Sequence, residues 1–154
     1  MRLRPPILAG VVLALALAPR STAEESLESI SAAVERVATD LQAGAHEGAE
    51  ARLAEALEAL AAFDDDDDVA LVLGRIHDCA LGAGARPLAR AATERALAWL
   101  ERSREEGDPA IAWARIDLGN VMVDDLDGAL ALQERGLATL TAVWGPDDDV
   151  VLWA

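Results

Sequence analysis

Lysine and tyrosine are absent from this chain, cysteine occurs once, and aromatic residues make up only 3% of its 154 positions. The lone Cys79 excludes an internal disulfide, so stability must come from packing. It reads as a small buried hydrophobe on a helix. With no lysine, every cation is one of 13 arginines, set against 28 acidic residues for a formal charge of −15. So acidic a surface repels phosphate backbones and excludes nucleic-acid binding. No nucleophile elbow, phosphate loop or Cys-x-x-Cys pair occurs, so the chain reads as a non-enzyme without cofactor or metal. The 53% hydrophobic content supplies ample apolar surface to bury, which argues against disorder despite the charge.

Long hydrophobic runs are missing too. Residues 7–18 are an apolar run that spans only about 18 Å as a helix, short of the roughly 30 Å hydrocarbon core. Arg2 and Arg4 precede it, and Ser21-Thr22-Ala23 ends it with small residues. This is the pattern of a signal peptide over 1–23. Pro19 argues against cleavage directly after Ala18, so the expected site follows Ala23. Cleavage removes Arg2, Arg4 and Arg20, taking the charge from −15 to −18. No cysteine stands near the site, which disfavours a lipid anchor. The expectation is export to the periplasm or the medium, with no stable membrane span after cleavage.

What is present is repetition. Leu41-Gln42-Ala43-Gly44-Ala45 returns forty positions later as Leu81-Gly82-Ala83-Gly84-Ala85. At the same spacing stand Ala49, Ala89 and Ala129; Ala56, Ala96 and Gly136; Leu57, Leu97 and Leu137; Leu60, Leu100 and Leu140. Such a period marks a stacked repeat protein, and stacks of this kind usually serve as binding surfaces. Helical signals fill residues 24–154. Leu27, Ile30, Val34, Val37 and Leu41 recur at helical spacing, with Ser26 as cap. Further helices are expected at 47–62, 69–81, 87–105, 109–123 and 127–144, with a seventh starting near 148. Gly107-Asp108-Pro109 closes one helix, caps the next and takes its first position. Small residues at the repeating positions let helices approach closely, and Leu57, Leu97 and Leu137 are expected to fill the space beside them.

These residues resemble a tetratricopeptide repeat array of the longer-repeat kind found in kinesin light chains. Leu118-Gly119-Asn120 resembles the Leu-Gly-Asn of the family's first helix. Glu94-Arg95-Ala96-Leu97-Ala98 and Glu134-Arg135-Gly136-Leu137-Ala138 resemble its Glu-Arg-Ala-Leu-Ala. Gly145-Pro146-Asp147-Asp148-Asp149 resembles its linker. The first hairpin lacks the Leu-Gly pair, and the first-helix aromatics are mostly missing. The resemblance implies an all-α, α-α superhelix of three helical hairpins, at about 26–63, 69–106 and 109–146, plus the start of a seventh helix. It further implies a concave groove lined by first helices, with Leu71, Arg75 and Asp78 of one hairpin and Trp113, Ile116, Asn120 and Asp124 of the next. Asn120 and Arg75 hold equivalent places after Gly119 and Gly74, where amide and guanidinium suit a bound peptide's backbone and carboxylates.

The aspartates at 64–68 suggest a calcium loop, but the central glycine and distal glutamate of an EF-hand are missing. They read better as a solvated linker whose last aspartate caps the helix starting at Val69. His77-Asp78-Cys79 offers no ligand set, because consecutive helical residues point about 100° apart. Trp99, Trp113, Trp144 and Trp153 read mostly as packing residues. The function expected is an exported, non-enzymatic scaffold that binds a protein or peptide segment in its groove. The alternative is a fragment of a larger repeat protein without independent function. Val150, Val151, Leu152 and Trp153 form an apolar end that would serve equally as a seam for self-association.

Overall fold

A computed structural model describes residues 26–153, which form seven helices: α1 (Leu27–Gln42), α2 (Ala49–Leu60), α3 (Asp67–Gly82), α4 (Arg86–Ser103), α5 (Pro109–Val121), α6 (Leu126–Trp144) and α7 (Asp149–Trp153). No strand occurs among the described residues, which are all-α. The expected signal segment at 1–23 lies outside them. Among the described residues no helix is long and apolar enough to cross a membrane.

Local chemistry sets the boundaries. The side chain of Ser26 accepts from the Ser29 amide at 3.1 Å, and that of Asp108 from the Ala110 amide at 2.8 Å. Asp125 caps α6 through the Gly128 amide at 2.9 Å. In the aspartate run the cap is Asp66, which accepts from the Val69 amide at 2.8 Å. The expected cap Asp68 lies inside the first turn, where a negative charge still favours the helix's positive end.

The forty-residue echo proves to be one C-terminal cap made twice. Gly44 and Gly84 have φ of 81° and 76°, a left-handed conformation that glycine adopts without a Cβ penalty. The Ala45 amide donates to the Asp40 carbonyl and the Ala85 amide to the Ala80 carbonyl, both at 2.8 Å. The Gly44 and Gly84 amides donate to Leu41 and Leu81, both at 3.0 Å. Together these make the Schellman pattern, which satisfies the last carbonyls of α1 and α3.

Consecutive helices pack in pairs, α1 with α2, α3 with α4 and α5 with α6. The pairs then stack. α1 and α2 both reach α3, and α2 reaches α4, whereas the next pair joins through α4 and α5 alone. The repeating small residues sit at the packing points: Ala49, Ala89, Ala129, Ala56, Ala96 and Gly136 are all buried, as are Leu60, Leu100 and Leu140. One departure is clear. Leu97 is 7% exposed where α5 packs on α4, whereas Leu137 is 41% exposed among the described residues.

The arginine of the repeated Glu-Arg-x-Leu-Ala segment has a structural task. Arg95 on α4 donates to the Leu60 carbonyl at 2.9 Å and to Asp65 at 2.8 Å, gripping the linker ahead of its own pair. Arg135 on α6 reaches Glu106, in the corresponding linker, at 3.1 Å. The aspartate run is therefore more than a solvated connector. Asp65 also meets Arg102 at 3.3 Å, and Asp67 pairs with Arg104.

Candidate binding face

Helix α3 presents Leu71, Arg75 and Asp78 to solvent while burying Val72, Leu73, Ile76, Cys79 and Ala80. Arg75 Nε lies 3.1 Å from Glu35 Oε1 on α1, an exposed pair joining the first helices of two neighbouring pairs. On the far side, Asp117 of α5 is partly buried and comes within electrostatic reach of Asp78 and His77. Burial, and then the Asp78 charge, push its carboxyl above the usual range, while His77 pulls the other way. Asp117 accepts no hydrogen bond among the described residues. A carboxylate partly withdrawn from water, beside a second carboxylate and without a protein donor, is a candidate functional group.

His77 and Asp78 diverge as neighbours on a helix must. His77 is 5% exposed, with Nδ1 at 2.7 Å from Thr93 Oγ1 on α4. The Thr93 hydroxyl also lies 3.0 Å from the Ala89 carbonyl. With its single proton given to that carbonyl, the oxygen accepts from Nδ1–H. Cys79 is buried, and burial raises its thiol pKa, with Asp78 and Glu35 adding to the rise. A thiol kept protonated is a poor nucleophile, in keeping with a packing role. Among the described residues no group of three His, Cys, Asp or Glu side chains could hold a metal ion.

The seven residues expected to share a groove do not all meet. Arg75 and Asp78 do share an exposed face. Ile116 does not belong to any open surface: it is 3% exposed, and a Cβ on Gly136 would stand 2.7 Å from its Cγ1. Trp113 is half-buried against the small cluster of Ala112, Ile116, Leu140 and Val151. Asn120 is exposed but turned to α6, where its Oδ1 accepts from Gln133 Nε2 at 2.8 Å. Asp124 lies past the end of α5 and accepts from Arg90 of α4 at 2.9 Å. The matched places of Arg75 and Asn120 thus serve different contacts. The residues that sequence reasoning missed are Glu35 and Asp117. Asp117 stands four residues beyond Trp113, so the helical period offered it; the expected stripe stepped to Ile116 instead.

A concavity of about 370 Å³ lies between α1 and α2. Ile30, Ala33, Ala56 and Ala59 line it, and the Arg52–Asp40 pair at 2.6 Å stands at its edge. No protein-family model and no curated protein matches the chain.

Proposed function

We propose that the chain is an exported, non-enzymatic scaffold of tetratricopeptide-like architecture that binds a protein or peptide segment along the face of its first helices, α1, α3 and α5. Three features support this reading: the forty-residue period, the pairing of consecutive helices, and small residues at equivalent crossing points. The groove then runs from Glu35 and Arg75 through Asp78 to Asp117, a line more acidic than the one expected from Asn120 and Asp124. The single observation that carries it is Asp117, a half-buried carboxylate without a donor and beside a second carboxylate. A ligand cation or amide placed there would supply the missing partner. No bond-making is required, since apolar contact and a few directed hydrogen bonds suffice for segment recognition.

The test is capture from cell-envelope extract with the wild type and an Asp78→Asn/Asp117→Asn chain. The reading expects a partner retained by the first and lost by the second, with melting of the variant unchanged or higher. Identical sets of captured proteins, from a folded variant, would sink the groove.

A further inference from the structure

Taking the groove of first helices as the binding face, we propose that it holds a subsite for one arginine side chain of the bound segment. Its acceptors are Nε2 of His77 and the carboxylates of Asp78 and Asp117. The place is particular to the second junction. α1 packs directly on α3, whereas α3 and α5 do not pack on each other, and α4 lies against both. Asp117 of α5 nonetheless comes within electrostatic reach of His77 and Asp78 of α3.

The buried histidine is what makes this more than a pair of acids. The contact with Thr93 puts the imidazole proton on Nδ1, so Nε2 carries a lone pair. Nε2 makes no hydrogen bond of its own. It is not sealed in either, because Arg115 Nε is the only buried side-chain nitrogen or oxygen without a partner among the described residues. Part of the 5% exposure of His77 therefore belongs to Nε2. A side chain buried almost completely thus keeps one acceptor open, within reach of a carboxylate that also lacks a donor. The helices supply no cation to fill the gap. Arg75, the one cation of α3, is engaged by Glu35, and Arg115, the one cation of α5, by Glu101 and Glu106.

Three acceptors and no donor select a ligand group made of donors alone. An amide brings a carbonyl of its own and would leave it facing a carboxylate. Lysine's ammonium is a compact, strongly hydrated point charge. A guanidinium offers five N–H groups in one plane, is less hydrated, and can reach acceptors on two helices at once.

The test is nitrogen NMR of the full chain with labelled histidine, at mildly alkaline pH. The chain has two histidines, and His46, exposed in the turn between α1 and α2, is the internal control. His77 is expected to show Nδ1–H and a bare Nε2. Titration with N-acetyl-arginine amide should shift the His77 Nε2 signal saturably and leave His46 unmoved. The citrulline probe, equal in shape but neutral, should bind at least about tenfold more weakly, as should the arginine probe on an Asp117→Asn chain. An Nε2–H tautomer, equal shifts from arginine and citrulline, or full affinity in Asp117→Asn would overturn the proposal. A lysine probe that binds as tightly as arginine would overturn the choice of a guanidinium. A silent His77, with an envelope partner still lost from the Asp78→Asn/Asp117→Asn chain, would remove the subsite and leave the groove standing.

Discussion

The second and third helix pairs are written in nearly the same letters and packed differently. Leu73-Gly74 on α3 matches Leu118-Gly119 on α5, and Ala96 on α4 matches Gly136 on α6. At Gly74 an added Cβ would meet nothing within 4 Å. At Gly119 it would stand 2.8 Å from the Ala129 carbonyl, and at Gly136 2.7 Å from the Ala112 carbonyl. The third pair brings backbone against backbone at two crossing points, whereas Gly74 of the second pair faces open space. A shared motif therefore marks a place in the repeat without fixing the distance at which that place is used. The stacking differs likewise. The first junction is spread over α1, α2, α3 and α4, while the second rests on α4 and α5 and is closed by charge.

The largest effect is expected where that second junction is closed. Arg115 of α5 is 1% exposed, and its guanidinium donates to Glu106 and Glu101, each at 2.8 Å. Its Nε is buried without a partner, so the side chain is held by its terminal nitrogens and its packing. Both glutamates keep access to water and would be resolvated if the arginine were removed. Arg115→Ala should then cost about 3 kcal/mol, mostly through the cavity left behind. Arg115→Met, which keeps most of the stem, should cost about 1 kcal/mol. Urea denaturation followed by circular dichroism measures both. Equal losses would mean that the ion pairs, rather than the packing, hold the junction.

The glycines come next, and they should differ in sign. Gly119→Ala and Gly136→Ala each gain helix propensity but press a methyl onto a carbonyl, for a net loss of about 1–2 kcal/mol. Gly74→Ala keeps the propensity gain alone and should stabilise by roughly 1 kcal/mol. Thermal melting of the three chains decides. A loss at Gly74 equal to that at Gly119 would erase the contrast between the pairs.

These cases show what was legible in the sequence. Helix order and caps were, because Ser26, Asp108, Gly44 and Gly84 act on the backbone within a few residues. Burial of the repeated alanines was too, since a period of forty with a helical stripe inside it leaves few alternatives. The proposed binding face was only half legible. Leu71, Arg75 and Asp78 follow from one helix's period, but α5 is buried over most of its circumference, so its stripe does not mark the exposed side. Arg115 is the clearest case, a charged residue at a core position that only the distant Glu101 and Glu106 make tolerable. Leu137 differs in another way: its register is right, and it stands 41% exposed among the described residues.

The smallest effect separates the junctions by pH. Glu106 is held down from 4.5 to about 2, chiefly by hydrogen bonds from Arg115 and then from Arg135. A carboxylate whose folded pKa is depressed lends stability that is present above its unfolded value and lost as pH falls through the folded one. The loss attributable to Glu106 therefore falls between pH 4.5 and about 2. Asp108, lowered by the Ala110 amide and by Arg104, adds to it with the same sign. Asp117 works in the other direction, because its raised pKa means that acid relieves a buried charge. Glu106 is fully exposed, so solvent screens the contribution and it should be modest. Its location is the informative part. Glu106→Gln should flatten the acid limb of a stability profile over that interval, while Asp65→Asn, at the first junction's latch, should leave the Glu106 interval in place. If both substitutions changed the same part of the profile by the same amount, the two junctions would be one cooperative charge network, and the contrast between them would have to be redrawn.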